Sequence, residues 1–164
     1  MRVERYIVYR IVPIILDIRE GDNVFPAERR IDSEYKQRIE NNLEATRPPR
    51  YAQRDKCLFV CYSKDNAYEW AYIKYGRKNT IYKLLTLEVT GELFWFMSDC
   101  YNFLGDKYTQ DQLNMACVDY WNSMTENKND LKLDKGYEGL FVGDVVVKGI
   151  EYKNYVNGES RDVV

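Results

Sequence analysis

The stretch that most constrains the fold is Arg54 to Ala71, RDKCLFVCYSKDNAYEWA, where a β-favouring run is handed across a polar turn to a helix. Leu58 to Tyr62 are apolar or aromatic, and Ser63, Asp65 and Asn66 are capping types. Ala67, Trp70 and Ala71 recur at helical spacing. A strand that ends in a hydroxyl-bearing turn and enters a helix points backbone N–H groups and the positive end of a dipole at one spot, which suits an anion or nucleotide. The same pattern also serves a plain strand, cap and core helix, so by itself it sets local structure and not function.

Glu4 to Ile18 is dense in Ile, Val and Tyr and predicts an opening strand that Pro13 ends, with Arg10 inside it. Asp32 or Ser33 caps a helix through Tyr35, Ile39 and Leu43 toward Thr46, stopped by Pro48 and Pro49. The helix entered after Ser63 ends at Gly76. Thr80 to Thr90 and Glu92 to Met97 read as two strands about a Gly91 turn. Thr109, with Gln112 three residues on, is a capping box for a helix that buries Leu113, Ala116 or Cys117, and Tyr120. Tyr137 to Val142 and Asp144 to Tyr152 are strands about Gly143, followed by a polar tail from Asn154. Hairpin-like neighbours late in the chain make this an α+β order rather than a regular parallel α/β one. Phe59, Trp70, Leu85 and Trp95 are the predicted core.

At 164 residues the chain is read as one domain, residues 1–164. The net charge of -2 gives no global basic field. There is no histidine, which removes Ser/His/Asp triads and His-ligated metals together and leaves chemistry to carboxylates, hydroxyls, thiols or a bound cofactor. Cys57, Cys61, Cys100 and Cys117 form no CxxC pair, so reduced thiols without disulfide or metal are expected. No apolar run is long enough to span a bilayer, and Met1 to Leu16 lacks the order of a secretory signal. A cytoplasmic protein with no membrane partner is the expectation.

Four features together resemble the ADP-ribosyltransferase fold, especially its small bacterial and phage-type members. They are Tyr9-Arg10 on the opening strand; Arg54 to Ala71 with Phe59, Ser63 and Ala67; Ile81 to Leu87; and Tyr120-Trp121 followed by Glu138 to Gly143. The resemblance implies a split two-sheet core with flanking helices that clamps NAD as substrate, in the subclass that uses Arg, Ser and Glu on three strands. Arg10 then contacts the NAD phosphates or ribose, as a fixed bidentate cation suits a pyrophosphate. Ser63 takes the serine position, although its neighbours Tyr62 and Lys64 depart from the family's hydroxyl doublet. Arg54 is a second phosphate candidate, and Tyr9 and Tyr137 offer stacking surface. Glu138 is the implied catalytic residue, holding the 2′-hydroxyl of the nicotinamide ribose and stabilising oxocarbenium-like charge. Gly136 stands where arginine-specific members carry Glu or Gln, so arginine is not the implied acceptor.

The function so implied is mono-ADP-ribosyl transfer to an intracellular protein or nucleic acid. An alternative is a non-catalytic binding or inhibitor protein that holds a partner protein or nucleotide on a tyrosine-rich surface, since the chain has 15 tyrosines. A third reading is nucleic-acid binding, which needs Arg47, Arg50, Arg54 and Lys56 in one patch.

Overall fold

The computed structural model describes residues 1–26, 31, 33–75, 79–132 and 135–163. Its strands are β1 (Arg2–Pro13), β2 (Leu58–Val60), β3 (Thr80–Met97), β4 (Tyr137–Val156) and β5 (Glu159–Asp162). Its helices are α1 (Glu34–Ala45), α2 (Lys64–Tyr75), α3 (Asp99–Asn102) and α4 (Gln110–Asn122). The fold is therefore α+β. The named strands form one five-stranded sheet in the order β1-β3-β4-β2, with β5 on β4, where the sequence leads to two small sheets. β1 runs antiparallel to β3 and β4 antiparallel to β5.

Two long strands account for much of that difference. Gly91 does not turn the chain, because it pairs with Val3 in the β1–β3 ladder and β3 continues through it. β4 likewise passes through Gly143 without a break. The polar tail placed from Asn154 is also corrected. Asn157 (φ 52) and Gly158 (φ 86) form a two-residue turn with both residues at positive φ, which returns the chain as β5 with Val156 opposite Glu159. β2 is shorter than Leu58 to Tyr62, since Cys61 makes an isolated bridge to Tyr9 and the Tyr62 N–H turns to the Asn66 side chain.

The chain forms two compact units. The first comprises Met1, Pro26–Leu58 and Leu93–Val142. Here the Ser33 hydroxyl accepts from the Lys36 N–H to start α1, and Thr109 and Gln112 form the capping box of α4. Asp32, the other cap candidate, lies outside the described residues. α4 packs against α1 and α3, and the Trp121 indole donates to the Leu43 carbonyl at 2.9 Å. Tyr51 stacks on Trp121 and Phe96 on Tyr120, with centroids 5.6 and 5.0 Å apart. Trp95 is fully buried.

The second unit comprises Arg2–Phe25, Phe59–Glu92 and Gly143–Val164. α2 lies on β1 and β5 and buries Ala67 and Ala71 with Cys61, Tyr82, Leu84 and Tyr155. Trp70 packs partly buried against that cluster; Leu85 is fully buried and Phe59 is half-buried. Gly76, where the sequence ends this helix, lies outside the described residues.

Candidate functional site

Arg54 opens a 3-10 turn, Arg54–Lys56, that leads into β2, and this turn carries its side chain inward until only 2% of the residue is exposed. A buried guanidinium must find acceptors for a planar fork of donors. Arg54 Nε and Nη2 donate to Glu40 Oε2 and Oε1 on α1, both at 3.0 Å, a bidentate pair. Its Nη1 donates to Glu138 Oε1 on β4 and to the Tyr120 hydroxyl on α4. The Tyr120 hydroxyl donates to Glu138 Oε1 at 2.6 Å, and the Tyr101 hydroxyl of α3 donates to Oε2 at 3.0 Å. The guanidinium also lies 5.1 Å from the ring centroid of Tyr120 and 5.8 Å from that of Tyr101.

One cation thus faces two carboxylates, leaving a negative charge in excess. Burial works against the charged form of Arg54, but Glu138, Tyr120, Tyr101 and Glu40 outweigh it and hold the guanidinium pKa well above its ordinary value. Burial first, and the Glu138 charge with it, raise the Tyr101 and Tyr120 hydroxyls, so both stay protonated and act as donors. Glu138 accepts two bonds on Oε1 and one on Oε2. A carboxylate oxygen takes about two, so Oε2 retains one acceptor position.

Beside this cluster lies a cavity of about 760 Å³ in the same unit. Glu40 and Arg54 line it together with Gln37, Asn41, Gln53 and Lys56. Its size falls in the range of small-ligand sites, roughly 300–1,000 Å³, and its carboxamides offer paired donors and acceptors.

Of the residues singled out from the sequence, Glu138 and Arg54 meet. Arg54 is paired with carboxylates in place of the phosphate contact expected of it, because its burial requires full neutralisation. Tyr137, in the same unit, is 3% exposed, and its hydroxyl accepts from the Lys132 N–H at 3.4 Å. Arg10, Tyr9 and Ser63 belong to the second unit. Arg10, opposite Leu85 in the ladder, donates from Nη1 to the Phe59 carbonyl. Loss of water around its ammonium first, and the Arg10 charge second, lower the Lys74 pKa, although much of that side chain stays at the surface. Two cations therefore stand near each other there. Tyr9 exchanges backbone bonds with Cys61 at 2.9 and 2.7 Å. Ser63 starts α2, its hydroxyl accepting from the Asn66 N–H at 3.0 Å.

The basic segment divides. Arg47 pairs with Glu44 at 2.8 Å and Arg50 lies over the Tyr51 ring, while Arg54 is buried. Sequence reasoning missed Glu40, which reads as a solvent-facing helix residue, and Tyr101, on a helix too short for periodicity. The signal available for Glu40 was Arg54 itself, a cation set directly before an apolar strand and so in need of a carboxylate. All four cysteines are free thiols. Among the described residues no group of three or more His, Cys, Asp or Glu side chains is arranged to hold a metal, and no helix is long and apolar enough to cross a membrane.

A family model described as "Protein of unknown function (DUF2441)" matches residues 16–153. No curated protein matches the chain.

Proposed function

With the chain belonging to the DUF2441 family as premise, we propose that it is an NAD-dependent mono-ADP-ribosyltransferase on a split ADP-ribosyltransferase-like core, acting on an intracellular protein or nucleic acid. The observation that supports this is the Glu138 carboxylate, whose side chain is 5% exposed and which is held by Arg54, Tyr101 and Tyr120 with one acceptor position left on Oε2. A fixed charge shielded from water acts on developing positive charge without reorganising, which is the electrostatic requirement of a glycosyl transfer.

In the reaction the bond between C1′ of the ribose and the nicotinamide nitrogen breaks, and its electron pair leaves with the neutral base. Glu138 stabilises the oxocarbenium-like C1′ and accepts a hydrogen bond from the 2′-hydroxyl. A lone pair of the acceptor nucleophile forms the new bond to C1′, and its proton passes to solvent. Glu40 and Arg54 hold Glu138 in place from behind, so no histidine is needed. Arg10 is assigned to the NAD phosphates, and the nearby Lys74 adds positive charge in its unit. A tyrosine-rich binding face draws less support, because of the 15 tyrosines only Tyr72 and Tyr152 are exposed.

The test is release of free nicotinamide from NAD by the purified chain and by Glu138→Gln, with melting curves for both. The wild type should release nicotinamide, and the variant should lose about a hundredfold or more in kcat while still folding. A wild type that neither binds nor cleaves NAD would refute the proposal.

A further inference from the structure

α3 makes two contacts with the start of β4. Asp99 Oδ2 accepts the Gly136 N–H at 2.8 Å, and the Tyr101 hydroxyl donates to Glu138 Oε2 at 3.0 Å. One short helical turn therefore holds both the backbone entering β4 and the side chain of its second residue. The contact with Gly136 is also steric. A Cβ at this position would lie 2.4 Å from Asp99 Oδ1 and 3.3 Å from the Ser98 hydroxyl. Ser98 is fully buried, so the neighbouring backbone has little room to retreat. Any side chain at 136 displaces the Asp99 carboxylate and gives up its bond to the amide.

We infer that Asp99 and Tyr101 are positioning residues for Glu138, with α3 acting as the element that fixes where its carboxylate stands. The inference rests on the reading of Glu138 as the working carboxylate. Neither residue touches the reacting atoms. Asp99 sets the backbone two positions before Glu138, and Tyr101 occupies one side of Oε2, directing the remaining acceptor position. Such control matters because displacement of a catalytic group by about 1 Å costs on the order of a hundredfold in rate.

The test uses the full chain and the variants Asp99→Ala, Asp99→Asn, Tyr101→Phe and Gly136→Ala. For each, kcat and KM for NAD are measured, with exchange of the Gly136 amide and the side-chain carbon resonance of Glu138 in glutamate-labelled protein. Asp99→Ala, Tyr101→Phe and Gly136→Ala should lower kcat by about tenfold to a hundredfold with KM nearly unchanged. Asp99→Asn keeps an oxygen facing the amide and should recover most of the rate. The Glu138 resonance should move in the three impaired variants and return in Asp99→Asn. An unchanged kcat in Asp99→Ala and Tyr101→Phe, or equal losses in Asp99→Ala and Asp99→Asn, would overturn the inference. If the wild type releases no nicotinamide, the proposed function fails by itself. The positioning then stands if the Glu138 resonance follows the Asp99 substitutions, and falls if it does not.

Discussion

Replacing Arg54 by Met removes the only cation bonded to Glu138 and fills its space with an apolar chain of similar length. Glu138 and Glu40 side chains are 5% and 16% exposed, so Glu138 carries the larger share of the cost. Three charge-assisted contacts are lost, two to Glu40 and one to Glu138, together with the bond to Tyr120. Removing one partner of a buried ion pair costs about 3–5 kcal/mol, since the other charge stays buried without compensation. Urea unfolding followed by tryptophan emission reads this directly, because Trp95 and Trp121 are buried. With a slope of about 2 kcal/mol per molar urea, the midpoint should fall by roughly 2 M. Adding Glu138→Gln to Arg54→Met should cost less than the two single losses together, with a coupling of about 1–3 kcal/mol. A midpoint close to wild type in Arg54→Met, or additive losses in the double variant, would refute the account of this cluster.

The Lys64 hydrogen bond first, then Lys153, holds the Glu151 carboxyl below its ordinary 4.5, and Lys153 holds Asp162 below its ordinary 3.8. A depressed carboxyl pKa adds stability above the ordinary value and loses it as pH falls through the folded one. Amides of β5 should therefore lose hydrogen-exchange protection first as pH drops below those values, and protection that stays level or rises would contradict this. Gly158→Ala forces an alanine to φ +86 in the β4–β5 turn and should cost about 1 kcal/mol in thermal unfolding, with no loss if the turn is wrongly described. Arg10→Ala should raise KM for NAD with a smaller change in kcat; an unaltered KM would remove Arg10 from the phosphates.

The helices were legible in the sequence down to their caps. Ser33 and Thr109 each accept the amide three residues on, because capping depends on residues a few positions apart. The strands were legible in type but not in extent. Gly91 and Gly143 carry a local turn signal, and the pairing that keeps β3 straight comes from Val3, far away in the chain. The Asn157-Gly158 turn was visible as a dipeptide but is flanked by polar residues, which masked its strands. At the site, Arg54 and Glu138 each stand out in the sequence, yet as partners of NAD and not of each other. They lie 84 residues apart, and a long-range ion pair leaves no periodicity to read. α3 has four residues and no apolar repeat, so its two contacts with β4 became evident only in three dimensions.

The central claim is that Glu138 serves the transfer of ADP-ribose. The most direct measurement incubates the full chain with NAD labelled in its adenine ring and a cell extract, then follows label entering protein or nucleic acid for the wild type and for folded Glu138→Gln. The account predicts label in a macromolecule with the wild type, together with free nicotinamide, and essentially none with the variant. Equal labelling by Glu138→Gln, or no labelling and no nicotinamide from the wild type, would contradict it.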